Sequence, residues 1–237
     1  MIRVLVWNEF YHDQFQEDAM STYPGGIHNV IKSFLETDSE LSVSTATLEE
    51  FECGLSEETL KNTDVLIWWG HCRHADVPDE IALRVREHVL KGMGFIALHS
   101  AHFAKPFKLL MGTSCSLKWR DNEKERIWCS APGHPIARGI PEQFELPSEE
   151  MYGEFFDIPN PDDTVFIGWF KGGEVFRSGC TFQRGLGKIF YFQPGHETNH
   201  SYHNKHVKKI INNAVKWAYS EKRIEEIICP KAEPLES

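Results

Sequence analysis

The chain has 237 residues, 41% of them hydrophobic, and a formal net charge of -10. That length suits one large α/β domain or two small ones, and the acidic balance argues against nonspecific binding to a nucleic-acid backbone. No run of about 18 apolar residues is present to span a bilayer, and "MIRVLVWNEF" lacks the apolar region and cleavage site of a signal peptide.

In chain order, "IRVLVW" (2–7) reads as a first strand. In "PGGIHNVIKSFLE", Ile27, Val30, Ile31, Phe34 and Leu35 share one helical face. "LSVSTATL" (41–48) alternates as a strand does, and "SEETLKN" is a short helix with Ser56 as N-cap. "DVLIWWG" (64–70) is a nearly continuous apolar run, the mark of a strand buried on both faces. "PDEIALRVREHVLKG" is a helix with Pro78 in its first turn and Gly92 as its C-terminal stop. "GFIAL" (94–98) is again a buried strand, so the first hundred residues alternate β and α around a parallel sheet.

After a short helix near "KPFKLLMG" the rhythm changes. "SLKWR" and "ERIWC" read as paired short strands, and "HPIARGIP" as a loop. "DTVFIGWF", "EVFRSGCTFQ" and "GKIFYFQ", separated by "KGG" and "GLG", read as a β-meander. "NKHVKKIINNAVKWAY" is an amphipathic helix with Val207, Ile210, Ile211, Ala214 and Trp217 inward. Residues 1–220 are thus expected to form one α/β domain, and residues 221–237 a polar tail. The six cysteines, Cys53, Cys72, Cys115, Cys129, Cys180 and Cys229, form no C-x-x-C pair. They are expected reduced and mostly buried, in a cytoplasmic protein.

Ligands of open α/β sheets bind beyond the carboxyl ends of the strands. Those exits hold Asn8 and Glu9, then His71 and His74, then His99, Ser100 and His102, then His196 and Glu197. A single histidine after a strand is ordinarily a capped loop residue; so many at strand exits point to one cleft. Three chemistries compete. Ser100 is a nucleophile with His196 as base and Glu197 as orienter, although Leu98 and His102 stand where a tight nucleophile elbow favours small residues. Alternatively His71, His99 and His196 hold a divalent metal, with zinc the expected ion. In the third, histidine and glutamate side chains do acid/base work unaided.

The stretch "PSEEMYGEFFDIP" adds Glu149, Glu150, Glu154 and Asp157, as a solvated acidic loop or a partly packed segment. Glu150 joins the candidate acid/base group. Arg177 and Arg184, on neighbouring meander strands, are candidate clamps for a polar substrate. Trp69 and Trp119, near strand exits, are candidate faces for a sugar ring. No G-x-G-x-x-G or Walker loop occurs, so no nucleotide cofactor is expected.

"GFIALHSAHFAKPFKLLMGTSCSLKWR", "EEMYGEFF", "EVFRSGCTFQRGLGKIFYFQPGHET" and "YHN" together resemble the trehalose-utilisation (ThuA-like) family, over nearly the whole chain. The resemblance implies a flavodoxin-like, class I glutamine amidotransferase-like three-layer sandwich, mostly parallel with an antiparallel β-meander extension. In those amidotransferases a cysteine sits on the elbow, with a late His and Glu. Here the elbow falls at or beside Ser100, and "PGHE" supplies His196 and Glu197, so a cysteine thioester is not available. The resemblance further implies a carbohydrate-metabolism enzyme (lyase, isomerase or hydrolase) acting on trehalose-derived 3-keto disaccharides. His99, His102, His196, Glu197, Ser100 and Glu150 are its catalytic candidates, and Tyr202 and His203 of "YHN" are among its substrate contacts. A noncatalytic sugar-binding protein and a Ser100 hydrolase are the alternatives. A homo-oligomer is compatible with either; a membrane or nucleic-acid partner is not expected.

Overall fold

The computed structural model describes residues 1–236; Ser237, the last residue of the expected tail, lies outside them. Four strands lead the chain, β1 (Ile2–Asn8), β2 (Leu41–Thr47), β3 (Val65–Trp69) and β4 (Gly94–Leu98). They alternate with helices α1 (His12–Phe15), α2 (Glu17–Thr22), α3 (Ile27–Leu35), α4 (Glu57–Lys61), α5 (Asp79–Leu90) and α6 (Lys105–Met111). Then come β5 (Lys118–Cys129), β6 (Gln143–Gly153), β7 (Asp163–Phe170), β8 (Val175–Arg184), β9 (Gly187–Phe192) and α7 (Lys205–Ala218).

Among the described residues all the strands join one nine-stranded sheet, in the order β2-β1-β3-β4-β9-β8-β7-β5-β6. The pairings from β2 to β9 are parallel and those from β9 to β6 antiparallel. Strand alternation sorts the core into two layers. Leu5, Trp7, Leu66 and Phe95 pack under α5 and α6, with Ile81, Val85 and Phe107. Val4, Val6, Ile67 and Ile96 pack under α3 and α7, with Ile27, Ile31, Ile210 and Ile211. The result is the expected three-layer amidotransferase-like sandwich.

Helix ends follow local chemistry. Ser56 Oγ accepts the Thr59 N–H at 3.1 Å, capping α4. Gly92, at φ +119°, ends α5, with Gly92 N donating to Val89 O and Met93 N to His88 O; a left-handed residue there satisfies carbonyls the helix leaves open.

One expectation changes and two are sharpened. "SLKWR" and "ERIWC" do not pair with each other: both lie on the single strand β5, which pairs with β6 on one side and β7 on the other. The polar stretch between them is a register shift around Asn122, at φ +60°, an irregularity that mimics a turn in sequence. Of the two readings of the acidic stretch, the packed one holds through Gly153: it is the end of β6, and Glu149 and Glu150 are buried. Finally, β9 closes the meander but also lies parallel to β4, in the middle of the sheet. Beyond Ala218 no helix or strand forms among the described residues, though Arg223 reaches Thr63 O and Ile224 reaches Lys91 O. No helix among the described residues is long and apolar enough to cross a membrane.

Candidate functional site

The tip of β4 sets the geometry. The residue after Leu98 is His99, at φ +53°, a left-handed conformation that costs a non-glycine residue about 1–3 kcal/mol. The strained elbow therefore belongs to His99 rather than Ser100. His99 is wholly buried; its Nδ1 donates to Gln193 O at 2.8 Å, which directs Nε2 towards Glu150 Oε2, 2.9 Å away. That contact is poorly aligned and leaves Glu150 Oε2 without a hydrogen-bond partner, so it is an ion-pair contact. The Tyr152 ring stacks on the imidazole at 5.0 Å. Burial opposes charge on His99, but the Glu150 carboxylate outweighs it and holds the imidazole above its ordinary pKa. Burial likewise opposes charge on Glu150, and His99 outweighs it, holding the carboxyl low.

The "PGHE" loop after β9 is pinned from below. Glu149, fully buried, accepts Gly195 N at 2.8 Å, His196 N at 3.1 Å, Asn199 Nδ2 at 3.2 Å and Ser201 Oγ at 2.5 Å. Trp69 Nε1 donates to Gly195 O at 3.0 Å. Gly195, at φ +139°, leaves no room for a side chain: a Cβ would sit 1.9 Å from the Tyr202 hydroxyl. So held, the loop places Glu197 with both oxygens 2.9 Å from His71 Nδ1. Burial would raise the Glu197 pKa, but His71, His196 and His12 bring it down to about 2. Burial and the neighbouring His99 lower His196 to about 4, leaving it neutral.

A cleft of about 310 Å³ opens at this rim, lined among others by His71, Ser100, His102, Trp119, Glu150 and His196. A larger groove of about 580 Å³, walled by Ala82, Leu83 and Leu109, adjoins it at Phe103. The smaller cleft is the candidate site, because the polar groups converge there.

Sequence-predicted residues fare unevenly. The Ser100 hydroxyl meets the Tyr152 hydroxyl at 3.0 Å, a partner that is no general base of a triad. His102 lines the cleft, but its Nδ1 donates to Cys115 O at 2.7 Å, and burial pulls its pKa down to about 3. Trp119 stands on the rim, 62% exposed. Five expected substrate contacts are engaged elsewhere. Trp69 is buried under the loop. Arg177 clamps Glu154 at 2.8 and 2.9 Å. Arg184, paired with Gly187 at the opposite end of β9, donates to Leu110 O. Tyr202 is fully buried, and His203 is bonded to Thr22 O at 2.9 Å. Sequence reasoning missed Tyr152 as a cleft residue and Glu149 as the anchor. The end of β6, residues 149–153, is buried without alternation, so no local pattern marked either.

With this geometry in place, comparison with known proteins decides the family. The ThuA family, described as trehalose utilisation, matches residues 3–218. The chain belongs to the ThuA family. No curated protein matches it. Among solved structures it is similar to a ThuA-like protein from Parabacteroides merdae, at 16% identity and TM-score 0.70, covering 95% of this chain and 92% of that one. The cytoplasmic protein STM3548 from Salmonella typhimurium aligns at 10% identity and TM-score 0.64, covering 93% and 100%. PurLQS from Thermotoga maritima aligns at 12% and 0.52, covering 91% and 98%. These likenesses establish the fold.

In this ThuA chain three sets of side chains among the described residues could hold a metal ion, and one of them, His71, Glu150 and His196, lines the cleft. Donor atoms of His71, Glu150 and His196 lie within 4.8 Å of one another. His71 Nδ1 is held by Glu197, and His196 Nδ1 lies 2.9 Å from the Thr198 hydroxyl and accepts the Thr198 N–H at 3.3 Å. Such outer partners orient metal-binding imidazoles. The buried Glu150 carboxylate, held from behind by His99, completes the set. The expected set had His99 in place of Glu150; His99 instead backs Glu150, with both ring nitrogens engaged.

Proposed function

We propose that this ThuA-family chain is a cytoplasmic enzyme of carbohydrate metabolism that acts on trehalose-derived 3-keto disaccharides by proton transfer beside the carbonyl. The observation that carries the reading is the convergence of His71, Glu150 and His196 on the cleft, with buried His99 behind Glu150. A divalent metal held there, zinc being suited to two imidazoles and a carboxylate, would polarise the carbonyl oxygen as a Lewis acid. The cysteines, none of which forms a disulfide among the described residues, support the reducing compartment.

The chain's own residues supply the rest. A carboxylate has two oxygens, so Glu150 can serve as a ligand through one and accept a proton through the other. In a 3-keto sugar that proton comes from C2. The C1–C2 double bond forms as the C1–O bond breaks, and the electron pair leaves on the glycosidic oxygen, which is protonated by water. His99 stabilises the charge of Glu150. Tyr152 and Ser100 offer hydroxyl donors to sugar oxygens, and Trp119 offers an aromatic face to the ring. The paired Ser100 hydroxyl disfavours a serine nucleophile.

The test is incubation of the pure chain with 3-keto-trehalose, with and without a chelator, and with Glu150→Gln. Sugar release that falls in both controls supports the enzyme. Binding without product establishes a sugar-binding protein, and neither binding nor product rejects the substrate class.

A further inference from the structure

We propose a second cation site in this chain, formed by Glu9, His12 and Cys72 and suited to a borderline-soft divalent cation such as zinc. Their donor atoms lie within 4.8 Å of one another, and none of them belongs to the His71–Glu150–His196 set. The site does not depend on the activity proposed above.

Local structure builds it from two strand exits. Glu9 follows β1, and Phe10, at φ +50°, turns the chain so that His12 starts α1 beside it. Cys72 lies three residues beyond the end of β3, next to β1 in the sheet. Glu9 is 1% exposed; it accepts Cys72 N at 2.9 Å, Arg73 N at 3.0 Å and the Cys72 thiol at 3.4 Å. Two backbone bonds therefore fix the carboxylate against Cys72, while the third partner is a weak, exchangeable donor.

His12 stands between this cluster and Glu197, within donor range of both. Its Nδ1 is buried without a hydrogen-bond partner, although Glu197 Oε1 lies 3.3 Å away in poor alignment. Such an atom is costly to leave unpaired. Cys72 is exposed, so the cluster has an open approach.

On binding, the thiol proton leaves to solvent and a sulfur–metal bond replaces the S–H bond; nothing is oxidised or reduced. Imidazole, carboxylate and thiolate make a three-ligand set with a fourth position for water, and the thiolate selects against magnesium and calcium. Zinc bonds of about 2.0–2.3 Å require the donors to close by roughly 1 Å. Glu197, 2.9 Å from His71 Nδ1 and 3.3 Å from His12 Nδ1, joins the two sets of donors.

Cobalt(II) tests the proposal, because thiolate coordination gives a charge-transfer band in the near ultraviolet that nitrogen and oxygen ligands do not. The chelator-stripped, reduced full chain is titrated with cobalt(II). The band should saturate within two equivalents in the parent chain and at one in His71→Ala, vanish in Cys72→Ser, and require about tenfold or more cobalt in His12→Ala. Persistence in His71→Ala keeps this result separate from any failure of the other metal set. No band in the parent chain, or a band that survives Cys72→Ser, overturns the proposal.

Discussion

Glu150 Oε2 and His99 Nε2 lie 2.9 Å apart with both side chains almost entirely removed from water. The folded state raises the His99 pKa from 6.5 and lowers that of Glu150 from 4.5. The His99 contribution to stability is thus full below pH 6.5 and lost as pH rises through its folded pKa. The Glu150 contribution is present above pH 4.5 and lost as pH falls through its folded pKa. Both operate together between those values. Glu150→Gln is expected to cost about 1–3 kcal/mol in that window, with a smaller cost at pH 9, measured by urea unfolding. A cost that does not vary with pH would mean the pair is not ionised.

Glu125 is buried in the sheet, accepts Ser178 Oγ at 2.9 Å, and has a second oxygen with no partner. Burial, then the neighbouring Glu149, raises its pKa well above 4.5. A raised carboxyl stabilises the fold fully below its unfolded pKa and progressively less above it. Glu125→Gln should match the parent at pH 4 and gain on it by up to about 1.4 kcal/mol per pH unit as pH rises. Parallel unfolding curves at pH 4, 6 and 8 check this.

Glu149→Gln leaves the N–H groups of the "PGHE" loop short of acceptors, because an amide offers one oxygen where the carboxylate offers two. A loss of about 2–5 kcal/mol is expected, together with loss of divalent-ion binding through misplacement of His196. Chemical denaturation and calorimetric titration would show both; a stable variant with intact binding would contradict the anchor.

Glu197→Gln keeps the shape of the side chain but weakens its hold on His71 Nδ1. Zinc affinity should fall about 10–100-fold, less than in His71→Ala, as measured by competition with a chromophoric chelator.

Ser100→Ala removes a hydroxyl paired with Tyr152. Turnover of a keto-sugar should fall by less than about tenfold, whereas losing a true serine nucleophile costs about 10⁶-fold. Steady-state kinetics on the purified variant separates the two.

The parallel half was legible in sequence because "DVLIWWG" and "GFIAL" are buried on both faces and read as unbroken apolar runs. The strand exits were legible for the same reason, and His71, His99, His196 and Glu197 do meet at one rim. The antiparallel half was harder. In β6 the carboxylate of Glu149 is buried by virtue of N–H groups in a loop some 46 residues later, and no local pattern announces such a partner. Arg177 reads as a free cation until Glu154, 23 positions away, is seen to occupy it. Tyr202 reads as a sugar contact until the fold puts it behind Gly195. Charge and aromaticity mark a residue as capable of chemistry; only the tertiary fold shows which capability is already used.

The central place of β9 has a consequence for how the chain is made. On the ribosome, the open side of β4 has no neighbour until the segment through Phe192 has been synthesised. At about 5–20 residues per second that interval lasts roughly 5–20 s. An apolar, unpaired strand edge over that time is a template for the wrong partner. Chains that stop before β9 should therefore accumulate as aggregates or be taken up by chaperones, even though every strand of the parallel half other than β9 has been made.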